Sequence, residues 1–246
     1  VCSSDLDTAR TVARCDAGRA RVIDASIAKN GRSALMTLVD GSLRMIDIDP
    51  DAPSVRERWR TAPQPLVSRA PAVSPDGSTV MVAWRDDRIT RHDPATGAVV
   101  AESQLAGGSV FMLAIGPDNR TAAASSWANE VRLIDVPTLA LTRRLSGTVS
   151  HVWGIDFTAD GSRIVGRMVP LAYSAVPGEF LGAWLVDSEA AVRDAQVHRD
   201  AVAATAGPQP GVFTIVGSDG AIREFDARSG AVRELGQGPL RANRVA

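Results

Sequence analysis

The chain has 246 residues, 45% of them hydrophobic, and a formal net charge of −1. This composition is that of a folded globular protein, and its near-neutral charge gives no electrostatic signal for nucleic acid or an anionic membrane. The two cysteines, Cys2 and Cys15, lack metal-ligand spacing, which disfavours both a disulfide framework and a zinc site. No segment approaches the ~20 apolar residues that a membrane span requires.

The two ends of the chain differ from the rest. Residues 1–6, Val-Cys-Ser-Ser-Asp-Leu, look like translated adapter sequence, and we expect them to be a non-native leader. No charged-then-apolar secretion signal opens the chain, and we expect a cytoplasmic location. Residues 11–15 fit the last strand of a unit whose other strands are missing, and residues 240–245 fit the first strand of another unit. We therefore interpret residues 7–246 as a partial domain of a longer protein.

Between these ends, a turn containing Asp or Asn recurs between short apolar segments. The turn residues are Asn30, Asp76, Asp118 and Asp160, which are 46, 42 and 42 residues apart, and a degenerate fifth turn follows at 209–211. A period of ~40–45 residues with four short strands per unit is typical of a β-propeller. The sequence therefore predicts an all-β fold, a β-propeller of four-stranded antiparallel blades.

Five complete blades are predicted, each with strands a, b, c and d in chain order. Their ranges are 22–62, 66–104, 109–146, 152–198 and 201–237. Because a propeller protects its sheet edges by closing on itself, the partial strands at both ends favour a ring of six to eight blades. Trp84 and Trp127 come at the ends of their b strands, and we expect them to pack between blades.

A second marker recurs about sixteen residues after each turn, where an apolar segment ends in aspartate. The marker residues are Asp47, Asp93, Asp135, Asp187 and Asp226. Since they occur once per blade, we interpret them as acceptors for backbone N–H groups of the following turn, and not as catalytic carboxylates. The fourth blade departs from the pattern, with an insertion over 170–182 that carries Tyr173 and Phe180.

Three motifs resemble those of WD-repeat proteins and the related bacterial propellers. Residues 74–77 read Ser-Pro-Asp-Gly, residues 133–135 read Leu-Ile-Asp, and Ser150-His151 precedes an apolar strand. The resemblance covers residues 20–237 and implies a divergent bacterial member of that family. No blade has Trp before its strand-c aspartate, so the His–Ser/Thr–Trp–Asp hydrogen-bond network of the family is not expected in most blades. In high-GC bacteria, similar arrays often follow signalling or transcription-regulator domains, which the resemblance implies as the context of this chain.

The histidines give little indication of catalysis. His92 precedes a marker aspartate and is expected at the rim, while His151 and His198 are expected in links between blades. They are 59 and 47 residues apart without a carboxylate in matching phase, which disfavours a metal site or a triad. Phosphate-binding motifs are absent from the sequence, and no cofactor is expected.

The leading hypothesis is a non-catalytic interaction or sensor module within a larger bacterial signalling or regulatory protein, binding a protein partner or a fused domain. Binding is expected on the face where b–c and d–a links gather. The candidate residues are Arg85, Asp86, Asp87, Asn129, Tyr173, Phe180, Arg199 and Asp200. The alternative is a propeller enzyme of the lactonase or quinoprotein-dehydrogenase type, which would place ionisable groups from several blades at the central channel.

Overall fold

The structure is a computed structural model, and every regular element among the residues that it describes is a β-strand. It describes residues 2–5, 10–14, 20–49, 51, 54–66, 68–105, 110–126, 130–145, 151–169, 179–186, 191–198, 201–206, 212–217, 221–226 and 231–237. Within these ranges, no helix is long and apolar enough to cross a membrane.

Five four-stranded antiparallel sheets form in chain order, one for each predicted blade. The first consists of β3 (Val22–Ile27), β4 (Ser33–Leu38), β5 (Leu43–Asp49) and β6 (Ser54–Arg60), and the second of β7 (Ser68–Val73), β8 (Val80–Trp84), β9 (Arg88–His92) and β10 (Val99–Gln104). The third consists of β11 (Val110–Ile115), β12 (Thr121–Ser126), β13 (Val131–Asp135) and β14 (Ala140–Leu145), and the fourth of β15 (His151–Phe157), β16 (Arg163–Val169), β17 (Glu179–Leu185) and β18 (Ala191–His198). The fifth consists of β19 (Ala201–Ala206), β20 (Val212–Gly217), β21 (Ala221–Asp226) and β22 (Val232–Gln237).

The described part of the chain divides into two compact units, one within 1–105 and one within 106–245. In the first unit, β3 lies against β7, so that the first two blades meet through their a strands. In the second unit, β11 lies against β15, and β15 lies against β19. Successive four-stranded sheets that meet at their first strands are the blades of a β-propeller. The predicted fold class is confirmed.

The b strands of the first two blades are buried on both faces, which explains why most of their residues are apolar. All six residues of β4 and all five of β8 are buried. Leu35, Val82 and Trp84 belong to one core between the first two blades, as predicted for Trp84. In the second unit, Leu133 and Phe157 belong to a core between the third and fourth blades. A sheet that is covered on both faces needs apolar residues at successive positions, so the alternation of a half-exposed strand is lost.

Every a strand carries a β-bulge at the same place. In all five blades, the register shifts across one unpaired residue near the start of the strand. The bulged residues are Ile23, Arg69, Phe111, Trp153 and Val202. Because a bulge redirects a side chain away from the pleat, the side chains of Ile23, Phe111 and Trp153 do not follow the alternation of the rest of their strands.

The a–b turns are built as the sequence predicts, around an aspartate that accepts local hydrogen bonds. Asp76 Oδ1 accepts the Ser74 hydroxyl at 2.6 Å and the Ser78 backbone N–H at 3.0 Å. Asp160 Oδ1 accepts the Thr158 hydroxyl and the Ser162 N–H in the same way, at 2.6 and 3.1 Å. These bonds lie within five residues of the chain, which is why the turns are readable from sequence.

The marker aspartates of the c strands are less uniform than predicted. Asp93 accepts the backbone N–H groups of two residues of its own turn, and Asp135 accepts the N–H of Thr138. Asp47 is different, because it binds the guanidinium of Arg58. In the first and third blades, the marker aspartate pairs with the first residue of strand b. In the fourth blade, that partner is Leu185, and not Asp187.

Two further segments differ from the sequence interpretation. β17 begins at Glu179, so the last four residues of the predicted insertion belong to strand c of the fourth blade, and residues 170–178 lie outside the described residues. At the N-terminus, β2 (Arg10–Arg14) pairs with β1 (Cys2–Asp5), a strand that the sequence interpretation had excluded. Whether residues 1–6 are a non-native leader stays a prediction.

Candidate functional site

The link between β8 and β9, residues 85–87, carries three of the predicted partner-binding residues. We call it the recognition link. Its backbone is fixed to the last strand of the same blade, because Gln104 Nε2 donates to the Asp86 carbonyl at 2.5 Å and the Leu105 N–H donates to the Asp87 carbonyl at 3.0 Å. Asp87 adopts a left-handed φ of 67°. The link therefore presents Arg85 and Asp86 to solvent from a fixed backbone.

Arg88 and Trp84 flank the recognition link on its two sides. The Arg88 guanidinium lies over the Trp84 ring, 5.1 Å from its centroid, and forms ion pairs with Asp86 and Glu102, each at 3.3 Å. The Asp87 N–H donates to the Trp84 carbonyl at 3.3 Å. The conformation of the link is thus coupled to the position of a tryptophan in the core between the first two blades.

A buried chain of hydrogen bonds runs from that tryptophan through strand c. Trp84 Nε1 donates to Thr90 Oγ1 at 2.8 Å, Thr90 Oγ1 lies 2.8 Å from His92 Nε2, and His92 Nδ1 lies 2.9 Å from the Gly97 carbonyl oxygen. Since a carbonyl can only accept, Nδ1 carries the proton and Nε2 accepts from the threonine hydroxyl. The geometry therefore selects one neutral tautomer of the histidine.

His92 is not at the rim, as the sequence interpretation expected. It is only 3% exposed and stacks on Trp59 of the first blade, with ring centroids 6.4 Å apart and planes inclined by 16°. Trp59 Nε1 donates to the Pro94 carbonyl at 3.0 Å, which fixes the indole over the c–d turn of the second blade. Burial lowers the pKa of His92, and the hydrogen bond with the Gly97 carbonyl offsets this only in part.

A second feature is an aromatic cluster in the second unit. The bulged residues Phe111 and Trp153 stack with centroids 5.1 Å apart and planes inclined by 26°, and the Phe111 ring lies 6.2 Å from that of His151. Phe111 and His151 are buried, whereas Trp153 is 36% exposed. Because His151 pairs with Val169 at the end of β16, the cluster lies at the end of the blade where strand b runs into the b–c link.

The sequence interpretation missed this cluster, although a signal was present. His151 was expected in the link before the fourth blade, but it is the first residue of β15. Phe111 and Trp153 occupy the same position in the repeat, as does Ile23, which is 38% exposed. The recurrence of a large apolar residue at this point near the start of strand a could have indicated a common environment.

The remaining predicted partner-binding residues are not brought together by the described part of the chain. Asn129, Tyr173, Arg199 and Asp200 lie outside the described residues. Phe180 lies in β17, where its backbone pairs with that of Met168. These five residues stay predictions.

The a–b turns of the third and fourth blades enclose a cleft of about 300 Å³. Asp118 and Asp160 line it, but their carboxylates are engaged by their own turns. The Thr158 hydroxyl and the Ser162 donors lower the pKa of Asp160. For Asp118, burial raises the pKa, but hydrogen bonds from the next residues outweigh it and the net shift is downward. Among the described side chains, no three His, Cys, Asp or Glu residues are grouped as a metal site would need.

Comparison with known proteins identifies the fold and nothing narrower. No protein-family model matches the chain, and no curated protein matches it. Among matching solved structures, hydrazine synthase of Kuenenia stuttgartiensis, a protein that contains a β-propeller, has a TM-score of 0.69 at 15% sequence identity. The match covers 86% of this chain and 64% of that chain, so this chain spans less than two thirds of the hydrazine synthase chain. At that identity the likeness shows the β-propeller fold alone.

Proposed function

We propose that this chain is a non-catalytic interaction or sensor module of a larger bacterial signalling or regulatory protein in the cytoplasm. It binds a protein partner, or a fused domain of the same polypeptide, at the ends of the blades where strand b runs into the b–c link. The observation that carries the proposal is the exposed Trp153, stacked on the buried Phe111.

An exposed tryptophan that is already held in one orientation is well suited to protein recognition. Aromatic residues dominate the binding energy of protein interfaces, and a side chain that is ordered before binding loses less conformational entropy when the partner arrives. Stacking on Phe111 supplies that order here. In the first unit, the recognition link lies at the b–c end of its own blade, and its Arg85 and Asp86 would supply polar contacts to a partner that binds there.

Asn129, Tyr173, Phe180, Arg199 and Asp200 belong to the same proposal as further contacts, on the basis of their positions in b–c and d–a segments of the sequence. Membership of the WD-repeat family is likewise proposed from the motifs alone.

The competing function is a propeller enzyme, and the name hydrazine synthase denotes one. A likeness of 15% identity transfers the fold and leaves the activity open. The described carboxylates favour a structural use, because Asp93, Asp118, Asp135 and Asp160 each accept hydrogen bonds from their own turns and have lowered pKa values. A general acid needs the opposite shift.

Substitution of Trp153 tests the proposal against a matched control. Leu141, on β14, is 37% exposed and lies on the fourth strand of its blade, away from the aromatic cluster. In affinity capture from bacterial extract, we expect partners to be retained by the wild type and by Leu141→Ala and lost from Trp153→Ala. Circular dichroism and thermal unfolding of both variants verify folding. Equal capture by all three proteins would contradict the proposal.

A further inference from the structure

We propose that His92 is a pH-sensitive latch that holds the recognition link in place at neutral pH and releases it in acid. The inference rests on the proposed function in one respect, since the recognition link is itself proposed to contact a partner. The latch itself is a property of the first two blades and can be tested without a partner.

The position of His92 in the repeat shows that the fold does not require an ionisable residue there. His92 pairs with Val80, the first residue of its strand b. The same register places apolar residues at this position in the other four blades, namely Ile46, Ile134, Trp184 and Phe225. An apolar residue therefore satisfies the position elsewhere, and the histidine adds a group that can change its charge near neutral pH.

Protonation would break the order of donors and acceptors in the buried chain. In the neutral state, each polar hydrogen from Trp84 to His92 has one acceptor at 2.8–2.9 Å. A proton on His92 Nε2 would point at Thr90 Oγ1, which would then accept hydrogen bonds from both the Trp84 indole N–H and the His92 Nε2–H. The threonine hydroxyl hydrogen would have only the Val82 carbonyl to bind, at 3.5 Å, which is the limit of a useful hydrogen bond.

Among the described residues, no carboxylate forms an ion pair with His92, whose ring nitrogens contact only Thr90 and the Gly97 carbonyl. From the first blade, Arg58 donates to the Pro94 carbonyl at 3.0 Å, the same oxygen that the stacked Trp59 binds, and Asp47 is already bound to Arg58. From its own turn, the Asp93 carboxylate accepts the Thr96 N–H and hydroxyl. A buried charge without a counterion is unfavourable, so protonation would be coupled to an opening of this part of the core.

That opening would reach the recognition link through Trp84. Its indole N–H is bonded to Thr90, its ring supports the Arg88 guanidinium, and its carbonyl accepts the Asp87 N–H. A shift of Trp84 therefore removes the support of the link on one side. Acid would in this way weaken binding at the link without any titration of the exposed Arg85 or Asp86.

Hydrogen exchange of the backbone amides of residues 85–92, followed from pH 7 to pH 5 and corrected for intrinsic exchange, tests the latch. In the wild type, exchange protection should fall about tenfold for each pH unit below the unfolded-state pKa of ~6.5, as long as the folded ring stays neutral. In His92→Ile, which copies the residue of the first and third blades, protection should not change over this range. Thr90→Val keeps the shape of the side chain but removes the hydroxyl that joins Trp84 to His92. Its amides should therefore be less protected than those of the wild type already at pH 7.

NMR titration of the histidine Cε1–H signals provides the second measurement and needs no variant to fold. A His92 signal that titrates at or above pH 6.5, or amides at 85–92 whose protection is independent of pH in the wild type, would overturn the latch. The proposed function fails separately, through unchanged capture by Trp153→Ala at pH 7. If Trp153→Ala loses capture and the protection of the amides does not depend on pH, only the latch is refuted. If Trp153→Ala keeps capture and the protection falls in acid, only the proposed function is refuted.

Discussion

Gly97→Ala should be among the most destabilising single-methyl additions in the first two blades. Gly97 has a left-handed φ of 77°, and a Cβ there would lie 2.7 Å from Cδ2 and Cε3 of Trp59. The left-handed conformation costs a residue with a side chain about 1–2 kcal/mol. Displacing the indole, which is fixed by its stacking on His92 and its bond to Pro94, should add about 1–3 kcal/mol of overpacking. We expect the free energy of unfolding to fall by about 2–5 kcal/mol.

Gly31→Ala is the matched control. Gly31 has nearly the same φ, 71°, but no atom within 4 Å of the added Cβ. Its cost should therefore be the conformational part alone, about 1–2 kcal/mol. Urea unfolding at pH 7, with the midpoint and the slope fitted for each variant, gives the two free energies of unfolding on one scale.

The difference between the two glycine variants measures the contact with Trp59. A double-mutant cycle with Trp59→Leu should remove that difference, because the smaller side chain leaves room for the methyl group. Equal costs for Gly97→Ala and Gly31→Ala in the otherwise wild-type protein would refute the packing of Trp59 on the c–d turn. They would also remove the stacking partner from the proposed environment of His92.

Three further outcomes follow from other contacts. Asn30→Ala should lower the free energy of unfolding by about 0.5–1.5 kcal/mol in urea unfolding, because the Asn30 amide donates to the Asp76 carbonyl of the next blade at 2.7 Å; no loss would contradict this bridge. Arg132→Ala should cost on the order of 3 kcal/mol by the same assay, since the fully buried guanidinium pairs with Glu130 at 2.6 Å, whereas Arg132→Met should cost less. The pKa of Asp160 is lowered in the folded state, so its contribution is present above the unfolded-state pKa near 4 and is lost as pH falls through the folded-state pKa. The stability difference between the wild type and Asp160→Asn should accordingly shrink between pH 5 and pH 2, and a constant difference would contradict that.

The residues that the sequence located correctly are those whose partners are close in the chain. The carboxylates of Asp76, Asp118 and Asp160 bind donors within three residues, so the turn motif alone predicts their role. The b strands of the first two blades were equally predictable, because burial on both faces favours apolar residues at successive positions. Asp47 was interpreted wrongly, since its partner Arg58 comes from the neighbouring strand and no turn pattern indicates that choice.

The candidate site depended on contacts that no local pattern encodes. Trp59 binds the c–d turn of the next blade, 35 residues further along the chain, and from there it stacks on the buried His92. The stacking of Phe111 on Trp153 likewise requires two bulged strands from neighbouring blades to meet in one register.

By itself, the sequence therefore determined the repeat, its four strands and its turns, because hydrogen bonds over a few residues and the two-residue period of a strand are local. Only the tertiary structure decided which side chains meet across blades. That decision depends on how neighbouring sheets pack and which way each bulge turns its side chain, and both are set by contacts between segments roughly one repeat apart.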